Sequence, residues 1–478
     1  MNLRAVLFDM GGTIETFGHT REMRIHASAG IRKLLLDTGI DLDLSDEELM
    51  RVVTSGLQKY HEYCLESLVE FSTEKVWQEF ILADFKVDRS KIARVSEELM
   101  VYIENHYYKR EMRPEIPAVL EKIKQMGLKI GLISNVNSLG QVPGNLKRYG
   151  IESYFNPVIL SSQYGIRKPD PSIFHYAARL MDVPTSACVY VGDRIARDII
   201  GSQRAGFRLA VQIQHDYDHG EEDTGAVPDA YIKNMNELIG VLENCLNTPL
   251  PEPNSHVRAL LFDAGDILYY RPRKENRFIT FLTELGMEKK WANLPGKKEL
   301  TELAFTGQIS QNEFHDGYMR LLGISDPDLI KRGKELLAEE NLDVEFFEGV
   351  KETLLKLKQR GFLLGIITNT ANSISNKLNW FEKGGFGNVW DSIISSVEIG
   401  VIKPFPEIYR AALKQLNITA DQAIFVGHKI SELDGARAAG LATIAFNYDK
   451  EAHADYYIDR FCELLDMPVL NESEGVLR

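Results

Sequence analysis

Leu3–Ile14, LRAVLFDMGGTI, and Val257–Leu268, VRALLFDAGDIL, are two versions of one phrase, and the fold follows from how that phrase is built. In each copy four apolar residues, AVLF at 5–8 or ALLF at 259–262, run into an aspartate, Asp9 or Asp263, and a glycine-containing turn comes next. A short, uninterrupted apolar run closed by a turn is the signature of a strand buried on both faces, as in a parallel sheet. Matching phrases follow in the same order. GLKIGLISN ending at Asn135 pairs with GFLLGIITN ending at Asn369, YGIRKPDP around Lys168 with IGVIKPFP around Lys403, and VYVGD ending at Asp193 with IFVGH ending at His428.

The offsets locate the difference between the copies. Asp263 follows Asp9 by 254 residues, but Thr368 follows Ser134 by 234 and Lys403 follows Lys168 by 235. One register therefore holds after the second phrase, and inserts of unequal size lie between the first and second. Four ordered matches mark an internal duplication. The expected layout is a first domain over 1–247, a Pro-rich linker TPLPEPNS over 248–255 and a second domain over 256–478.

In each copy buried-strand runs (AVLF, IGLIS, VIL, CVYVG, LAVQI) alternate with amphipathic segments such as EIPAVLEKIKQMG and SIFHYAARLMDV. That alternation predicts two Rossmann-like, doubly wound α/β domains with parallel sheets. The interval from about 16 to 112 is rich in helix formers and lacks strand alternation, so it reads as an all-helical cap inserted after the first strand. A shorter equivalent spans about 271–345.

Of the 478 residues 44% are hydrophobic and 26% charged, the balance of a soluble globular protein. A net charge of -14 argues against a general nucleic-acid binder, which needs excess Lys and Arg, but leaves room for one basic pocket. Cys64, Cys188, Cys245 and Cys462 are scattered without metal-ligand spacing and read as buried thiols of a reducing compartment. No apolar run is long enough to span a bilayer and no signal-peptide pattern precedes the first strand, so no membrane partner and a cytoplasmic location are expected.

In open parallel sheets ligands gather at the carboxyl ends of the strands. Asp9, Ser134 and Asp193 each stand where an apolar run ends. One such residue is ordinarily a turn residue or helix N-cap; several converging on one sheet edge are a site. Asp9 with Thr13, then Ser134, then Lys168, then Asp193 and Asp198 in VGDRIARDIIGSQRAG resemble the four motifs of the haloacid dehalogenase-like hydrolases, twice over nearly the whole chain. The resemblance implies a Mg²⁺-dependent phosphatase of a small phosphorylated metabolite. Asp9 would be the nucleophile that becomes an aspartyl-phosphate, Lys168 and Mg²⁺ would neutralise charge, and Ser134 with Asn135 would bind the phosphoryl oxygens. Asp9, the Gly11 carbonyl, Asp193 and Asp198 would serve the metal.

The sequence departs from the family pattern in places. Gly11 and Gly265 stand where family phosphatases carry a second aspartate, the general acid. Its loss costs typically about 10²–10⁴-fold, least for substrates with good leaving groups such as acyl or aryl phosphates. In the second copy Asp263, Thr368 and Lys403 persist, but His428 replaces the metal-binding aspartate and Ile267 the hydroxyl of Thr13. Glu432 or Asp434 is left for the other acidic position, and Asp266 falls one residue late for the acid. The first domain is therefore expected to be the main active site. His19, Arg21, Arg24 and His26, matched by Arg271, Arg273, Lys274 and Arg277, either grip an anionic substrate or form solvated basic faces. Two other readings are a catalytically impaired phosphometabolite-binding or regulatory protein, and a metal-free 2-haloacid dehalogenase. Retention of Asp193 and Asp198 disfavours the latter. The oligomeric state is not legible.

Overall fold

A computed structural model describes residues 2–215, 225–272 and 276–471. The chain falls into two compact units, Met1–Pro249 and Leu250–Arg478. The first contains strands β1 (Ala5–Phe8), β2 (Glu15–Gly18), β3 (Lys109–Met112), β4 (Lys129–Ser134), β5 (Val158–Leu160), β6 (Cys188–Gly192), β7 (Leu209–Ile213) and β8 (Ala230–Ile232). Six of them form a parallel sheet in the order β5-β4-β1-β6-β7-β8. The chain steps outward from β1 through β4 to β5, crosses back to β6 and continues to β8. That reversal opens a crevice at the carboxyl ends of the central strands.

The central strands are covered on both faces. Val6 and Phe8 join one apolar layer with Val189 and Val191, while Ala5 and Leu7 join the other with Cys188 and Tyr190. Two-sided burial is why the run AVLF has no polar alternation.

Between β2 and β3 lies the cap, with helices Arg21–Asp37, Asp46–Ser67, Thr73–Val76 and Arg89–His106 and a π-helical turn Trp77–Ile81. Helix Asp46–Ser67 starts at a capping box: the Ser45 hydroxyl accepts from the Glu48 N–H, and the Glu48 carboxylate accepts from the Ser45 N–H. Its buried residues Leu49, Val53, Gly56, Tyr60 and Cys64 recur every three or four positions, one face of a helix. The sequence suggests an all-helical insert, but its two ends are strands. β2 and β3 pair antiparallel, Glu15 opposite Met112 through Gly18 opposite Lys109, and form a stalk beneath the cap. Strands of four residues are too short to display a period in sequence.

The second unit repeats the plan with β9 (Ala259–Phe262), β10 (Tyr269–Tyr270), β11 (Glu345–Phe346), β12 (Leu363–Thr368), β13 (Ser392–Ser395), β14 (Ala423–Gly427), β15 (Ala442–Phe446) and β16 (Tyr456–Ile458). Its parallel sheet runs β13-β12-β9-β14-β15-β16, and β10 pairs with β11 below a cap of helices from Asn276 to Leu342. No helix among the described residues is long and apolar enough to cross a membrane.

His175 sits in helix Pro171–Leu180, 3% exposed, with no hydrogen bond to either ring nitrogen among the described residues. Burial pushes its pKa down to about 3. Unfolded, the imidazole titrates near 6.5, so at lower pH only the unfolded chain takes up the proton and stability falls. Between pH 7.5 and 5 this group alone removes about 2 kcal/mol. His175→Leu is expected to lose less stability over that interval than wild type, read as urea midpoints of the first domain's transition. Equal losses in the two proteins would contradict this account of His175.

Candidate active site

The site of the first domain forms because the first, second, third and fourth motifs all end at one sheet edge. Asp9 follows β1, Ser134 closes β4, Lys168 follows β5, and Asp193 follows β6. Asp198 is brought back to them by the π-helical turn Ile195–Ile199. Lys168 Nζ lies 2.7 Å from Asp9 Oδ1, 2.6 Å from Asp198 Oδ1, 2.8 Å from the Tyr190 hydroxyl and 3.0 Å from the Ile133 carbonyl. Its backbone is fixed by Asn135: the Lys168 N–H donates to Asn135 Oδ1 at 2.9 Å, and Asn135 Nδ2 donates to the Lys168 carbonyl at 3.0 Å. Asn135 thus braces the lysine.

Asp9, Asp193 and Asp198 are all buried and offer carboxylate oxygens within 4.8 Å of one another. Burial pushes the Asp9 carboxyl up to about 7 against the pull of Lys168, and repulsion from Asp198 and Asp193 adds to the rise. The turn that carries this geometry depends on Gly12. Its φ is +89°, and a Cβ there would lie 2.2 Å from Asp193 Oδ2. Gly12→Ala is expected to displace the Asp193 carboxylate and cost about 2 kcal/mol of domain stability, with at least about a tenfold fall in turnover. Thermal melts and initial rates would check both, and wild-type values would contradict the role given to the turn.

Above the carboxylates a cavity of 520 Å³ opens between sheet edge and cap. Asp9, Gly11, Ser134 and Asn135 form its floor, and Arg24, His61, Glu104 and Arg110 reach it from the cap and stalk. Arg167, Arg194 and Arg197 complete a cationic wall. Burial, and then repulsion from Arg167, Arg197 and Arg194, push the His61 imidazole down from its usual value. Glu104 accepts from the Asn137 N–H at 2.9 Å and from the Ser138 hydroxyl at 2.5 Å, and burial nonetheless pushes it up to about 7. Such a wall favours an anionic guest.

Two family models, both described as haloacid dehalogenase-like hydrolase, match residues 3–206 and 291–446, together about three quarters of the chain. The chain belongs to the haloacid dehalogenase-like hydrolases. It is 28% identical over 242 residues to the glyceraldehyde 3-phosphate phosphatase of Methanopyrus kandleri, half of this chain and 97% of that enzyme. It is 28% identical over 142 residues to the pyrophosphatase PpaX of Bacillus mycoides, 28% of this chain and 63% of that enzyme. Among solved structures, a HAD phosphatase from Thermococcus onnurineus is 26% identical with a TM-score of 0.36, covering 50% of this chain and 98% of that one.

The second haloacid dehalogenase-like domain assembles the corresponding group. Lys403 Nζ lies 2.6 Å from Asp263 Oδ1 and 3.3 Å from Glu432 Oε1. Helix Ile430–Ala438 turns Glu432 inward, while Asp434 is on the surface paired with Arg437. Glu432, rather than Asp434, therefore takes the place of Asp198. His428 is 7% exposed with Nδ1 3.6 Å from Asp263 Oδ2, and Asp266 Oδ2 is 3.8 Å from His428 Nε2. Thr368 lines the same 390 Å³ cavity.

Some expectations from the sequence are redistributed. Thr13 is fully buried beneath the turn, its hydroxyl without a hydrogen-bond partner among the described residues, and it does not line the cavity. Of the first basic cluster only Arg24 faces the cavity, 5.1 Å from the Tyr108 ring. Arg21 pairs with Glu47 on the surface, His19 packs edge-on against Tyr108, and His26 is exposed. In the second cluster Arg271 lines the second cavity and Arg277 pairs with exposed Glu339, whereas Arg273 and Lys274 lie outside the described residues.

Proposed function

We propose that the first domain is a Mg²⁺-dependent phosphatase acting on a small phosphorylated metabolite through an aspartyl-phosphate on Asp9. The observation that carries the reading is the buried cluster of Asp9, Asp193 and Asp198 around Lys168, placed at the floor of an arginine-lined cavity. The activities for which the two relatives are named, glyceraldehyde 3-phosphate phosphatase and pyrophosphatase, agree with it.

The donor set fits Mg²⁺, because three carboxylates offer only hard oxygen ligands. Asp9, Asp193 and the Gly11 carbonyl would hold the ion, with Asp198 as a further ligand or orienting group. When bound, it supplies two positive charges against the phosphoryl group. Lys168 adds a third and keeps Asp9 oriented. Ser134 and neighbouring backbone N–H groups hold the phosphoryl oxygens. Asp9 attacks phosphorus, the bridging P–O bond breaks, and the leaving group departs with its electron pair. Water then attacks the phosphorus of the aspartyl-phosphate, returning Asp9 as carboxylate and releasing dihydrogen phosphate.

Gly11 shapes substrate choice. A Cβ at this position would lie 3.6 Å from Arg110 Nη1, and Arg110 is held by Glu15 Oε1 at 2.5 Å. The place of the family's acid is thus faced by a guanidinium, which stabilises an anion but does not give up its proton near neutral pH. Acyl phosphates and phosphoanhydrides, whose leaving groups depart as stable anions, suit this arrangement better than alkyl esters. The expected result is that kcat/KM for acetyl phosphate exceeds that for glycerol 3-phosphate by at least about 10². Gly11→Asp should narrow the gap. Equal ratios in both proteins would overturn the leaving-group preference. Absence of Mg²⁺-dependent turnover on a broad panel of phosphate esters and anhydrides would overturn the phosphatase reading itself.

A further inference from the structure

His428 makes the second domain's site chemically unlike the first. Lys403 Nζ lies beside one oxygen of each buried carboxylate, Asp263 Oδ1 at 2.6 Å and Glu432 Oε1 at 3.3 Å. The opposite oxygen of Asp263, Oδ2, lies 3.6 Å from His428 Nδ1. Asp263, His428 and Glu432 offer ligand atoms within 4.8 Å of one another. His428 is 7% exposed and Glu432 6%, yet His428 Nδ1 and Glu432 Oε2 have no hydrogen-bond partner among the described residues. Buried polar atoms are seldom left without partners, and each such case needs a cause.

A divalent metal supplies that cause. Lys403 pairs with one oxygen of each carboxylate and leaves the other free, and an imidazole nitrogen beside carboxylate oxygens is a set for borderline metals. Mg²⁺, which demands near-octahedral oxygen, fits poorly. We propose that Asp263, His428 and Glu432 form a site for a first-row transition metal of the Zn²⁺, Mn²⁺, Fe²⁺ or Co²⁺ class. All three residues line the 390 Å³ cavity, so a further coordination position faces open space, as in metal sites that bind a water or small ligand. The two domains would then differ in metal, one taking a hard cation on three carboxylates and the other a borderline cation on a mixed set. This inference does not depend on the phosphatase reading.

The test is isothermal titration of the full chain with Zn²⁺ alone, in an Asp193→Asn background that weakens the first domain's site, together with Co²⁺ absorption. One equivalent of Zn²⁺ is expected to bind, and adding His428→Ala should weaken it by roughly 100-fold. Co²⁺ should give visible d–d bands that vanish with the same change. Where His428→Ala destabilises the domain, His428→Asp serves instead: it recreates the first domain's carboxylate set and should shift preference from Zn²⁺ toward Mg²⁺. Absence of Zn²⁺ binding, binding indifferent to both substitutions, or displacement of Zn²⁺ by millimolar Mg²⁺ would each overturn the proposal.

Discussion

Lys168→Met is expected to lower turnover by about 10³-fold or more and to destabilise the first domain by about 3–5 kcal/mol in the absence of divalent metal. The side chain is 1% exposed, and among the described residues it is the one lysine within ion-pair distance of Asp9 and Asp198. Methionine preserves roughly the length and apolar stem of the side chain, so the packing beside Tyr190 is disturbed least, and what is removed is the charge. Two buried carboxylates are then left facing each other with Asp193 close by. Removing one partner of a buried ion pair is costly because the other remains desolvated. In the proposed reaction the same charge would offset the approach of Asp9 to a phosphate dianion. The stability loss should shrink when millimolar Mg²⁺ is present, since a cation among the three carboxylates takes over part of the neutralisation. Urea unfolding with and without Mg²⁺, alongside kcat/KM for acetyl phosphate, would measure both effects. Unchanged stability without metal would mean that Lys168 does not hold the cluster together.

What the sequence made legible was what is local. Asp9, Ser134 and Asp193 each stand where an apolar run stops, so they could be named from residues a few positions away, while Lys168 was marked by the matched phrases YGIRKPDP and IGVIKPFP. The topology only had to bring those ends together, and a doubly wound sheet does so by construction. Arg194 and Arg197 stood inside a phrase singled out for its carboxylates, and their alternation with Asp193 and Asp198 was a signal left unread.

Arg110 and His61 left no such trace. They come from the stalk strand β3 and from cap helix Asp46–Ser67, more than 50 residues in sequence from Asp9, and only folding sets them over the cavity. Whether Glu432 or Asp434 faces Lys403 turned on the phase of one nine-residue helix, which a single displaced residue reverses. Thr13 was assigned to the site by resemblance, but the hydrogen bonds from the Thr13, Ile14 and Glu15 N–H groups to the Met10 carbonyl curl the turn and bury its hydroxyl.

Asp9→Asn carries the largest expected effect. Asn is isosteric with Asp and keeps a side-chain oxygen toward Lys168, so the fold and cavity should survive, but an amide is not a nucleophile toward phosphorus. Turnover should fall by about 10⁴-fold or more, the scale lost when a covalent nucleophile is removed. The equivalent Asp263→Asn removes the same group from a site where His428 stands in the place of Asp193 and Glu432 in that of Asp198.

The most direct measurement is therefore Mg²⁺-dependent hydrolysis of acetyl phosphate and p-nitrophenyl phosphate by wild type, Asp9→Asn and Asp263→Asn side by side. The account predicts activity in wild type and Asp263→Asn, lost on chelation of Mg²⁺, and none in Asp9→Asn. Full activity in Asp9→Asn, or its loss only in Asp263→Asn, would contradict the claim that the first domain carries the reaction through Asp9.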